Sequence, residues 1–116
     1  MKMRIWGNSL RLRLSQSEVA RVASGGKLEE RIEFGAGEIL GYVVECVPGA
    51  TALSARFSGQ RIVVTVPASA AQAWAASGDV GLYAGAPLKI AVEKDFRCTT
   101  EAENPPDAYP NPLKAC

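Results

Sequence analysis

The chain has 116 residues, is 47% hydrophobic, and carries 13 lysines and arginines against 12 acidic residues. This composition predicts one folded domain and excludes a disordered chain, and the net charge of +1 means that any basic site must come from local segregation of charge. The absence of histidine removes the commonest general base and the commonest metal ligand, so we expect no enzymatic activity, no cofactor and no metal site.

The sequence also lacks the features of a membrane or exported protein. No stretch approaches the roughly 20 apolar residues of a membrane span. The first residues carry charge without the apolar segment of a signal peptide. Three cysteines, an odd number, favour reduced thiols where no export signal is present. We therefore expect a cytoplasmic protein without a membrane partner.

A β-hairpin is predicted at the start of the chain, with strands near residues 2–6 and 9–14 about the Gly7-Asn8 turn. Because side chains alternate across a strand, one face of this hairpin is apolar and the other is basic. The first acidic residue is Glu18, so no neighbour in the sequence neutralises the basic face. The basic face is either an exposed surface that charge protects from edge pairing, or a patch that binds phosphate groups. Its expected members are Lys2, Arg4, Trp6, Ser9, Arg11 and Arg13.

A short helix is predicted next, near residues 16–24. Ser15-Gln16-Ser17-Glu18 has the spacing of a capping box, in which the serine and glutamate side chains each bond to the other residue's backbone N–H. Gly25-Gly26 ends this helix. Two further strands follow, near residues 28–34 and 39–46, joined by a turn at 35–37.

The second half of the chain has the same order of elements. Ser69-Ala70-Ala71-Gln72 is predicted as the second capping box, and Trp74 on that helix is expected in the core. Tyr42 and Tyr83 are expected to pack as well, and Glu45 and Glu93 to be the solvated ends of two related strands. The predicted elements are strands near 54–58, 61–66, 79–83 and 87–93, and a helix near 69–76.

The two halves also match residue by residue. With a shift of 52 positions Leu10 matches Ile62, and with a shift of 48 positions Tyr42 matches Ile90. We therefore predict a tandem duplication of a strand-strand-helix-strand-strand unit. The predicted fold is mainly β with two short helices, in one domain of residues 1–94 built from repeats 1–46 and 54–94. Residues 95–116 break the pattern, are rich in proline and are predicted as an irregular arm.

The repeated unit resembles the AbrB/MazE-type swapped-hairpin domain. The resemblance is carried by Trp6-Gly7-Asn8-Ser9 with Arg13, which is similar to the WGNS…R stretch of MazE-type antitoxins, and by Gln60 to Pro67, which is similar to a strand of AbrB relatives. It implies a pseudo-twofold barrel, formed here by two halves of one chain where the family uses two chains.

The same resemblance implies a function. In MazE-type proteins the basic residues beside the first turn, with the asparagine and serine of the turn, contact DNA. Carried over, this implies DNA contacts at Arg4, Asn8, Ser9 and Arg13. It also implies a tail, here residues 98–116, that docks a protein toxin. In the second repeat Val63 and Thr65 replace Arg11 and Arg13, so only one pole of the barrel is strongly basic. Two unequal poles argue against a palindromic operator.

The whole chain further resembles a set of uncharacterised bacterial proteins of similar length, which share GNSLRLRL, VEKDFRC and DAYPNP. Two hypotheses about function follow. The first is a DNA-binding regulator-like or antitoxin-like module that contacts duplex DNA, as a monomer or weak dimer. The second is a protein-interaction or structural module that has the barrel without DNA binding. The predicted nucleic-acid-binding residues are Lys2, Arg4, Trp6, Asn8, Ser9, Arg11 and Arg13.

Overall fold

The structure is a computed structural model that describes residues 1–96, 107–110 and 112. The described residues are mainly β, with two short helices, as the sequence predicts. The strands are β1 (Lys2–Ile5), β2 (Ser9–Leu14), β3 (Lys27–Gly35), β4 (Glu38–Val47), β5 (Ser54–Ser58), β6 (Arg61–Pro67), β7 (Gly81–Ala84) and β8 (Lys89–Lys94). The helices are α1 (Gln16–Ala23) and α2 (Ala68–Ala76).

The strands form two sheets of four strands, and each sheet combines strands from both halves of the chain. Sheet A has the order β1-β2-β8-β7, and sheet B has the order β3-β4-β6-β5. The two central strands of each sheet are parallel, β2 with β8 and β4 with β6, whereas the edge strands pair antiparallel. Each half therefore supplies one hairpin to each sheet.

The registers of the two central pairs correspond to each other. Leu10 pairs with Ile90 in sheet A, and Ile62 pairs with Tyr42 in sheet B. These are the residues that the shifts of 52 and 48 positions equate, since Leu10 matches Ile62 and Ile90 matches Tyr42. The two sheets therefore have matching strand orders and matching central registers.

The predicted closed barrel is wrong for the described residues. The edge strands β1 and β7 of sheet A, and β3 and β5 of sheet B, pair on one side only, so both sheets are open. Alternating apolar and polar residues require only that one face of each strand is buried. Two open sheets around a shared core meet this requirement as well as a closed barrel does.

The inner faces of both sheets and both helices contribute to one apolar core. Leu12, Val64 and Val92 lie fully buried in it. Trp74 on α2 is 1% exposed, which confirms its predicted place, and its indole Nε1 donates a hydrogen bond to the carbonyl of Val80, 3.2 Å away. Burial of this ring removes a large apolar surface from water while its single donor stays paired.

The two helices begin differently. At α1 the predicted capping box is present, because Ser15 Oγ accepts from the Glu18 backbone N–H and Glu18 Oε1 accepts from the Ser15 N–H, 2.9 Å away. The box predicted at Ser69 is wrong. The residue before α2 is Pro67, which has no hydroxyl, and Ser69 lies inside the first turn.

Candidate nucleic-acid interface

The predicted cations of the first hairpin lie on the outer face of sheet A. From here on, the basic face means this outer face of the whole sheet. Strand register places Lys2 opposite Arg13 and Arg4 opposite Arg11 on the two strands of the first hairpin. The parallel partner β8 adds Lys89 beside Ser9 on this same face. All residues whose register places them on this outer face are Lys2 and Arg4 on β1, Ser9, Arg11 and Arg13 on β2, Gly81 and Tyr83 on β7, and Lys89, Ala91 and Glu93 on β8.

Two of these cations are paired with acids. The Nζ of Lys2 lies 3.0 Å from Oδ2 of Asp95, and Nε of Arg11 lies 3.2 Å from Oε1 of Glu93. Within the described part of the chain, Arg4, Arg13 and Lys89 form no ion pair. The basic face therefore carries more positive than negative charge, although the net charge of the chain is only +1.

Arg4 contacts an aromatic ring in place of an acid. Its guanidinium carbon lies 4.9 Å from the centre of the Trp6 ring, which is cation–π geometry. Trp6 follows β1 directly and is 61% exposed. This contact restrains both side chains at one edge of the basic face.

The turn residues Asn8 and Ser9 are bonded within the protein. The Asn8 Nδ2 donates to the carbonyl of Pro87 at 3.2 Å, and the backbone N–H of Lys89 donates to the Asn8 carbonyl at 3.4 Å. The Ser9 hydroxyl donates to the carbonyl of Trp6. These bonds hold the β1–β2 turn against the β7–β8 turn and leave the longer basic side chains as the outward-reaching groups.

Glu93 lies between Arg11 and Tyr83. Besides its ion pair with Arg11, it accepts a hydrogen bond from the Tyr83 hydroxyl, with 2.8 Å between the oxygens. Burial and then the Glu93 carboxylate raise the pKa of Tyr83 above its ordinary value, while the charge of Arg11 acts in the opposite direction. Gly81 lies opposite Glu93, and a Cβ there would lie 2.6 Å from the Val92 carbonyl oxygen and 2.8 Å from Glu93 Cγ.

The basic face contains an open groove of about 500 Å³. The small residues Ser9 and Ala91 lie at its centre, between the side chains of the two edge strands. Arg4, Trp6, Arg11, Tyr83 and Lys89 line it. A concave surface that carries cations and exposed rings can hold phosphate groups and planar bases.

Three residues of this site with charged or aromatic side chains are absent from the predicted set: Tyr83, Lys89 and Glu93. Tyr83 is 60% exposed, so the expectation that it packs in the core is wrong. Alternation along β7 provides the signal, because Leu82 and Ala84 face the core and Tyr83 between them must face outward. Alternation places Lys89, before the buried Ile90, on the outer face in the same way.

The outer face of sheet B lacks this excess of positive charge. Two of its arginines form ion pairs: Nη1 of Arg56 lies 3.4 Å from Oε1 of Glu45, and Nη1 of Arg61 lies 3.2 Å from Oε2 of Glu29. Val63 stands at the position that corresponds to Arg11, and it is buried beside Val43. The two outer faces are therefore unequal, as Val63 and Thr65 in the second half of the chain, at the positions of Arg11 and Arg13 in the first, predict.

The docking tail that the resemblance implies, residues 98–116, lies outside the described residues except for 107–110 and 112. Of the arm, Phe96 is exposed and Tyr109 is 97% exposed. Cys46 is a free, half-buried thiol. Within the described residues, no helix combines the length and apolar character that crossing a membrane requires.

No curated protein and no solved structure matches the chain significantly. A family model does match, over residues 1–113 and therefore over both sheets and the basic face. The chain belongs to the family of unknown function DUF7009.

Proposed function

We propose that this protein binds nucleic acid through the basic face, with duplex DNA as the first candidate ligand, as a cytoplasmic regulator-like or antitoxin-like module. One observation carries the proposal: Arg4, Arg13 and Lys89 share an exposed sheet face and have no acidic partner among the described residues. Arginine and lysine side chains in such a cluster contact phosphate oxygens and release condensed counterions from the nucleic acid.

The matching strand orders of the two sheets support a tandem duplication of an AbrB/MazE-like unit as part of this proposal. In that arrangement the first hairpin of each half supplies one edge strand and one central strand of one DNA-facing pole. Arg13 has no cationic counterpart in sheet B, where Thr65 stands. Arg56 and Arg61, the two arginines of the first hairpin in the second half, are both paired with acids. Binding through a single pole favours a non-palindromic contact by a monomer or weak dimer.

A salt titration tests the proposal. Binding of a fluorescent 20-base-pair duplex should weaken as salt rises, with a log–log slope of roughly −3 if three cations contact phosphates. The double change Arg4→Glu, Arg13→Glu should abolish this binding and leave thermal unfolding unchanged, because both side chains are exposed.

The matched control is Arg56→Glu, Arg61→Glu, which makes the same change of charge on sheet B. This control variant should bind as the unmodified protein does. Equal loss of binding in both variants would show a general charge effect and would contradict a site on the basic face. Absence of binding to any duplex at low salt would remove duplex DNA as the ligand, and absence of binding to single strands as well would remove the proposal.

A protein-interaction module is the second candidate, and exposed apolar side chains favour it. Ile5 and Phe57 occupy matching positions in the two halves, both are more than half exposed, and both line one opening beside Leu88. Phe34, next to the last residue of β3, is also exposed. Under this hypothesis Phe57→Ser abolishes partner binding, and the charge changes on sheet A have no effect.

A further inference from the structure

We propose that the groove on the basic face holds an unpaired nucleotide, so that the protein prefers single-stranded nucleic acid over a duplex. This inference rests on the proposed function and specifies its ligand. The base would stack on Tyr83 or Trp6, and the adjoining phosphates would contact Arg4 and Lys89. Single-stranded DNA and RNA share this chemistry, and the experiment below distinguishes them.

The first argument comes from the two aromatic rings. Trp6 is 61% exposed and Tyr83 is 60% exposed, whereas Trp74, in the same chain, is 1% exposed. Both exposed rings line the groove. Large rings at the surface of a site that also carries cations are the usual platforms on which unpaired bases stack.

The second argument is that both rings are already restrained. The Tyr83 hydroxyl is bonded to Glu93 at 2.8 Å, and Trp6 lies under the guanidinium of Arg4. A ring held in place loses little conformational freedom when a base stacks on it. Trp6 belongs to the β1 side of sheet A and Tyr83 to β7 at the opposite edge, so about 14 Å, three strand spacings, separates their strands. One short segment of single strand can therefore reach both rings.

The third argument concerns what a duplex offers. Bases inside a duplex are stacked on one another, so a duplex presents base edges and phosphates but no base faces to Trp6 or Tyr83. Only an unpaired base gains from these rings. The phosphates would lie at the Arg4 and Lys89 end of the groove, because Glu93 next to Tyr83 repels them.

The experiment compares four probes at one salt concentration: a mixed-sequence 12-nucleotide DNA strand, its RNA equivalent, and the 12-base-pair DNA and RNA duplexes of the same sequence. We expect at least one single strand to bind tenfold or more tightly than either duplex. It should also quench the fluorescence of the exposed Trp6. Trp6→Leu and Tyr83→Leu should each weaken single-strand binding about tenfold and change duplex binding less than twofold.

Two further variants separate stacking from folding. Tyr83→Phe retains the ring without its hydroxyl and should restore most of the binding that Tyr83→Leu loses. Phe57→Leu removes an exposed aromatic ring outside the groove and should change nothing. If single strands and duplexes bind equally, or if the leucine variants bind normally, phosphate contacts alone explain the binding and this inference is overturned while the proposed function stands. If no probe binds, both are overturned.

Discussion

Glu93 and Arg11 form an ion pair across the central parallel strands of sheet A, with 3.2 Å between Oε1 and Nε. The corresponding acid in sheet B, Glu45, pairs with Arg56 on the edge strand instead, at 3.4 Å. Glu93 and Glu45 occupy corresponding positions in the two sheets, but their arginine partners do not, because Val63 occupies the position in sheet B that corresponds to Arg11. Arg4, which matches Arg56, is consequently left without an acidic partner among the described residues and stacks on Trp6.

Removal of the negative charge at Glu93 should strengthen nucleic-acid binding. In Glu93→Gln the basic face keeps its cations and loses a carboxylate that repels phosphate, so we expect a several-fold higher affinity at low salt. Fluorescence anisotropy measures this directly. The matched control Glu45→Gln alters the same position in sheet B and should leave the affinity unchanged; a loss of affinity in Glu93→Gln would contradict the location of the site.

The same substitution should change the titration of Tyr83. Burial raises the pKa of Tyr83 above the ordinary value, and so does the Glu93 carboxylate, which accepts a hydrogen bond from the phenol hydroxyl and repels the phenolate. In Glu93→Gln the pKa should therefore fall towards the ordinary value, and phenolate should appear at lower pH. An absorbance titration, with Tyr83→Phe used to identify the Tyr83 signal, tests this. An unchanged or higher pKa would be inconsistent with the observed hydrogen bond.

Glycine at position 81 should be required for the stable packing of the edge strand β7 against β8. A Cβ at this position would lie 2.6 Å from the backbone oxygen of Val92, which cannot move without disturbing β8. We expect Gly81→Ala to lower the free energy of unfolding by about 1–3 kcal/mol. Denaturant unfolding measures the change. Gly78→Ala is the control, since a Cβ there meets nothing within 4 Å, and it should be close to neutral.

The two helix starts provide a matched test of capping. Ser15→Ala removes the hydroxyl that accepts from the Glu18 N–H and should cost about 1 kcal/mol of stability. Ser69→Ala, within the first turn of α2, removes no cap and should be neutral or slightly stabilising, because alanine favours the helix interior. Similar losses in both variants, measured by thermal or denaturant unfolding, would contradict the difference between the two helix starts.

The sequence by itself determined the local features of this protein. Alternation defines the strands of the first hairpin, and Ser15 and Glu18 define the start of α1, because these features depend on residues close together in the chain. The shifts of 52 and 48 positions also equate residues that occupy corresponding register positions in the two sheets. The expected box at Ser69 failed because the corresponding cap position holds Pro67.

Only the tertiary structure decided that two open sheets form in place of a barrel, and that β2 lies beside β8. This parallel pairing brings Arg11 to Glu93, and it places Tyr83 and Lys89 on the same face as Arg4. Contacts between residues far apart in the chain depend on how whole strands pair and how sheets cover a shared core. Alternation within each strand is the same for a barrel and for two sheets, so it specifies the buried face but leaves the strand's neighbours open.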